Sequence, residues 1–168
     1  MGLFAMCPQC VWMYGFCGVL AVLYASRQRI PRTESAVEKI LDAVRRVLNL
    51  KKSKWRCSQL QNHGGVNVDQ ILMLLRAAHC QYKVVRHKRN SVGQSLRQWL
   101  FDQASQRHRC YSEYIVYITG HVVFIRVFPV IGKWLLYDQS GVVSHSSKLV
   151  WKTNHCGHRI IRHLIKIL

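Results

Sequence analysis

The rhythm of apolar and polar positions changes part-way along the chain. The first hundred residues carry helical spacings, and from Tyr111 onward the pattern becomes that of strands. Gly15 to Gln28 is apolar nearly all round, which predicts a helix wrapped by protein, ended by Pro31. Thr33 then reads as an N-cap. Val37, Ile40, Leu41, Val44, Val47 and Leu48 fall on one face of the helix that follows. Glu34, Glu38 and Asp42 lie early in it and Arg45 and Arg46 late, as the helix dipole favours. After a polar loop over residues 51–65, Asn67 caps a third helix through Ile71, Leu72, Leu74, Leu75 and Ala78. Gln81 to His87 reads as a strand. Ser91 to Ala104 reads as a helix, with Leu96, Trp99 and Leu100 in phase and Gly93 as its weak point.

In the second half, Tyr114 to Ile118 is expected to pair with His121 to Phe128 through a Thr119-Gly120 turn. Pro129 to Gly132 makes the next turn and Lys133 to Tyr137 the next strand. Leu149 to Lys152 and His158 to Ile167 are read as additional edge strands. Helices first and antiparallel strands second predict an α+β fold. No repeat or interdomain linker interrupts the chain, so residues 1–168 are expected to form a single domain.

Charge adds a partner to this picture. Lys and Arg total 25 against 7 Asp and Glu, a formal charge of +18. So much like charge repels itself unless neutralised, which points to nucleic acid or another polyanion. The basic residues cluster at Arg45 to Arg56 around Trp55, at Lys83 to Arg89 beside Tyr82, and at Arg159, Arg162, His163 and Lys166. The bland alternative is dispersed, solvated charge. With so few acids, clustered carboxylates of a two-metal nuclease are excluded, and no zinc-finger, P-loop or dinucleotide pattern occurs.

The seven cysteines are odd in number and irregularly spaced, which favours reduced thiols in an intracellular compartment or a virion. Residues 1–26 carry no charge. A membrane anchor is one reading, but Pro8, Gln9 and the lack of a basic leader favour a buried helix with its lead-in. Met6 replaces the Ser or Thr of a myristoylation signal. Cys7 and Cys10 form a CxxC that, with His155, Cys156 and His158, offers a zinc site. A redox pair or inert thiols are the alternatives. No cofactor is expected.

The candidate chemistry lies at Cys17, His121 and Asp138. Cys17 opens the first apolar helix, where the helix start favours the thiolate. Its backbone N–H can serve an oxyanion, and the small Gly15 and Gly18 leave room for a substrate carbonyl. His121 opens an apolar strand and Asp138 closes the next, so the carboxylate can orient the imidazole that serves the thiol. Of the carboxylates beyond Asp102, Glu113 and Asp138 alone are available for that role. Taken singly, a buried thiol, a hairpin histidine and a turn aspartate have bland explanations.

Together they resemble the papain-like cysteine peptidase superfamily, in particular its compact bacteriocin-leader-processing peptidases and Josephin-type deubiquitinases. Cys17-Gly18 before an alanine-containing apolar helix, His121-Val122-Val123, and Asp138 with Gly141 carry the resemblance. It implies a helical part bearing the thiol packed on a sheet bearing His and Asp, and cleavage of peptide or isopeptide bonds in a protein or polyprotein substrate. The chain departs from those families where they place an oxyanion-hole Gln, five or six residues before the nucleophile. Val11 and Trp12 stand there, and Gln9 is the nearest candidate donor. With the charge, the resemblance suggests a viral or phage processing protease working near nucleic acid. The competing classes are a non-enzymatic, thiol-rich nucleic-acid-binding protein and a small membrane-associated basic protein.

Overall fold

A computed structural model describes residues 16–50, 65–85, 93–106, 109–138, 141–146 and 157–168. Among these residues four helices and a six-stranded sheet make a mixed α+β architecture. The chain divides into two compact units, Met1–Gln81 with Asp138–Gly141, and Tyr82–Tyr137 with Val142–Leu168.

The first unit contains helices α1 (Cys17–Ala25), α2 (Glu34–Val47) and α3 (Val68–Ala77). As its composition predicts, α1 is buried from Gly18 to Leu23 and again at Ala25. It ends well before Pro31, because Arg27 takes a left-handed φ of 56°. The N–H groups of Arg27 and Gln28 return to the carbonyls of Tyr24 and Leu23 at 3.2 and 2.9 Å, a Schellman ending. Asn49 after α2 and His79 after α3 repeat this geometry, with φ of 50° and 55°. Glycine, the usual residue there, is absent from all three endings, so they are hard to see in the sequence.

The two predicted caps are present. Thr33 Oγ1 accepts from Ala36 N at 3.2 Å, and Asn67 forms a reciprocal capping box with Gln70. Along α2, Val37, Leu41, Val44 and Leu48 are buried, whereas Val47 lies at the rim of the face. Gly18 sets the approach of α1 to α3. A Cβ there would collide with Val66 Cγ2 and meet Ile71 Cδ1 at 3.2 Å.

The second unit holds the strands β1 (Tyr82–Val85), β2 (Ser112–Ile118), β3 (His121–Phe128), β4 (Lys133–Asp138), β5 (Gly141–Ser146) and β6 (Ile161–Ile167), with helix α4 (Leu96–Ser105), except that Asp138 and Gly141, at the ends of β4 and β5, belong to the first unit. Sheet order is β1-β6-β2-β3-β4-β5. The β1–β6, β6–β2, β2–β3 and β3–β4 pairings are antiparallel. A short 3-10 turn, Pro129–Ile131, joins β3 to β4 and closes on Gly132 at φ 62°.

Three expectations change here. The C-terminal strand is not an edge strand: β6 lies between β1 and β2 and pairs with both, and its apolar Leu164 and Ile165, on opposite faces, are both buried, as in an interior strand. The fourth helix starts at Leu96 rather than near Ser91. Gly93 has φ 117°, which no helix contains, and Ser95 is the cap, accepting from Gln98 N at 3.2 Å. Strand β5, Gly141–Ser146, is an additional strand that the apolar pattern does not predict. The segment Leu149 to Lys152 lies outside the described residues.

Alternation along the paired strands defines two faces. One carries His121, Val123, Ile125 and Val127 beside Trp134, Leu136 and Asp138, since Phe124 pairs with Tyr137. Leu96, Trp99, Leu100 and Ala104 of α4 pack on that face and form one core with it. Ile115, Phe124 and Ile165 on the opposite face are also fully buried. Because the central strands are covered on both faces, they read as apolar runs rather than strict alternation.

On that opposite face Arg126 Nε donates to Glu113 Oε1 at 2.9 Å and its Nη1 to the Tyr137 hydroxyl at 3.1 Å. Tyr111 donates a second hydrogen bond to Glu113. The guanidinium also lies over the rings of Tyr137 and Phe124, 5.1 and 5.5 Å from their centroids. Burial opposes the charge on Arg126, but Tyr137, Tyr111 and Glu113 together outweigh it and hold its pKa above the ordinary value.

Candidate functional site

Cys17 is the first helical residue of α1 and is half-buried. The first bond within the helix is Leu20 N to Phe16 O at 2.9 Å, so the N–H of Cys17 belongs to the first-turn set that has no acceptor within the helix. Only Cys17 and Tyr24 in α1 escape full burial. Seven residues apart, they share one line along the helix, with the thiol at its positive end. Phe16, just before it, is fully buried and anchors the helix start. Gly18 has a different job from the one its sequence position suggests. Its missing side chain is used by the contact with Val66 and Ile71, so its smallness does not mark space for a substrate.

His121 is the first residue of β3, half-buried, and opposite Ile118 across the hairpin. Gly120 before it has φ 73°, a left-handed conformation that lets the chain turn within two residues. Asp138 ends β4 and is only 7% exposed. A carboxylate at that depth requires partners, and both Asp138 and His121 have them.

The sheet register sharpens the expected geometry. His121 and Asp138 are not directly opposite each other. Phe124 pairs with Tyr137, so by continuation Asp138 stands at the level of Val123, a diagonal step from His121 on the same face. Glu113 is eliminated from the orienting role. It lies on the other face, directly across from Arg126, and is engaged by Arg126 and Tyr111. Sequence spacing left both carboxylates open, and strand parity separates them.

The structure therefore assigns Cys17 to the start of a buried helix and puts His121 and Asp138 on one face of two paired strands. Gln9, Cys7, Cys10, His155 and Cys156 lie outside the described residues. Among the described residues no group of three His, Cys, Asp or Glu side chains could hold a metal ion, and no helix is long and apolar enough to cross a membrane. The chain matches no protein-family model, no characterised protein and no solved structure.

Proposed function

We propose that the chain is a cysteine peptidase of papain-like type, hydrolysing peptide or isopeptide bonds. The observation that carries the reading is Cys17 as the first residue of a buried helix, where the dipole favours thiolate. His121 takes the thiol proton and Asp138 fixes the imidazole's tautomer and orientation. The thiolate adds to the substrate carbonyl, and backbone N–H groups at the start of α1, with Gln9 as a candidate side-chain donor, stabilise the oxyanion. The C–N bond breaks as His121 returns its proton to the leaving amine. Water, deprotonated by the same imidazole, then hydrolyses the thioester.

The test is labelling with a thiol-directed electrophilic peptide at neutral pH, followed by mapping of the modified cysteine. Cys110 is exposed and Cys17 only half-exposed, so accessibility alone favours Cys110. Preferential labelling of Cys17 that disappears in His121→Ala supports the peptidase. Labelling that follows exposure, with Cys110 first and His121→Ala without effect, refutes it.

A second reading, a non-enzymatic nucleic-acid-binding protein, is favoured by one observation. The sheet-bearing unit has 14 Lys and Arg against two acids, a net +12.

A further inference from the structure

Two of the basic clusters are some seventy residues apart in the chain, and β1–β6 pairing joins them. Lys83 lies directly opposite Lys166. Like charges in that relation repel at a Cβ separation of about 5 Å, and the strands gain nothing from them. At the other end of β6, the irregular register beside Tyr117 and Ile118 leaves Arg162 exposed. Just beyond it, Leu96 N donates to Arg159 O at 2.9 Å and Arg97 N to Gly157 O at 3.0 Å, which seats the start of α4 against this segment and adds exposed Arg97.

The two carboxylates of the unit are committed elsewhere, Glu113 to Arg126 and Asp102 to the side-chain amides of Gln94 and Gln98. Among the described residues Lys83, Arg97, Arg159, Arg162 and Lys166 make no ion pair.

We infer that Lys83, Lys166, Arg162, Arg159 and Arg97 form one docking stripe for a single-stranded nucleic acid. Arg162 and Lys166 are four residues apart on β6, roughly 13 Å where the strand is extended, a length that spans more than one phosphate of a nucleic-acid backbone. Arg159, Arg162 and Lys166 follow one segment of chain, with Lys83 beside one end and Arg97 beside the other, an elongated arrangement that fits a phosphate chain better than the plane of a lipid surface. Arg159 Nη1 also donates to Thr119 O at 3.3 Å, so the stripe begins at the turn that leads into His121. The inference does not depend on the peptidase reading.

The experiment measures binding of a fluorescein-labelled oligothymidylate to the full chain by anisotropy across a salt series. Wild type is compared with Lys83→Ala/Arg162→Ala/Lys166→Ala and with a control, Arg29→Ala/Lys39→Ala, that removes exposed charge from the helical unit. The stripe variant should bind roughly tenfold or more weakly. The slope of log affinity against log salt should fall by about 2, at roughly 0.7 for each lost phosphate contact. The control should stay within about twofold of wild type. Lys83→Glu separates binding from folding. It turns the cross-strand repulsion into an ion pair, so melting temperature should rise while oligonucleotide affinity falls. Equal losses in the stripe and control variants would overturn the proposal. So would stripe-dependent binding to phosphatidylserine vesicles with no affinity for the oligonucleotide. Repeating the series in Cys17→Ser should change nothing, so failure of catalysis and failure of docking are read separately.

Discussion

The two compact units handle charge in opposite ways. The helical one has 11 Lys and Arg against five acids, and the sheet-bearing one has 14 against two. In the helical unit two of the acids are spent locally: Arg45, 6% exposed, is met by Asp42 and by Glu38 at 3.7 Å. In the sheet-bearing unit one acid serves an aromatic-lined arginine and the other a pair of amides, and the edge strand is left with lysine facing lysine. The difference teaches that net charge alone says little about partners. What matters is which basic residues have acids within reach once the strands are paired.

The two units also carry different parts of the proposed chemistry, and the largest expected effect separates them. Cys17→Ser should lower kcat by roughly 10⁴-fold or more, while Cys110→Ser leaves peptide hydrolysis unchanged. Hydrolysis of a peptide library by both variants checks this. Next in size is Glu113→Ala in the sheet. It strands a charged guanidinium and should cost about 2 kcal/mol in urea unfolding, without moving the reactivity of Cys17. An activity loss larger than the stability loss would instead place Glu113 in the site.

In the helical unit Gly18→Ala should cost about 1–3 kcal/mol, since Val66 is β-branched, buried and unable to yield. A variant that stays folded yet loses only activity would return Gly18 to a substrate-contact role. The smallest effects belong to the helix endings. Arg27→Gly and His79→Gly should each stabilise by about 0.5–1 kcal/mol, because glycine accepts the left-handed conformation without strain. Asn49→Gly should gain less, asparagine already tolerating it. Urea midpoints for the three variants check the ranking.

Much of the local architecture was legible in the residues. The amphipathic face of α2, the caps at Thr33 and Asn67, and the Thr119-Gly120 hairpin depend only on near neighbours. The misread boundaries have local causes too. Arg27 adopts a conformation that its side chain does not advertise, and Gly93 stands outside α4 rather than weakening it. Residue type, order and flanking residues single out Cys17, His121 and Asp138 as candidates. Which carboxylate shares a face with His121 was not readable, because that depends on the β3–β4 register.

By itself the sequence determined the helical and strand periods, the turn glycine at 120, and the excess of base over acid, all of which act over a few residues or over the whole composition. Tertiary structure alone decided that β6 returns to the interior of the sheet, that Glu113 faces Arg126 while Asp138 shares the face of His121, and that Lys83 and Lys166, from two distant basic clusters, stand opposite each other. Strand order and register are set by pairings between distant segments, and a one-residue slip in any of them would exchange the two faces.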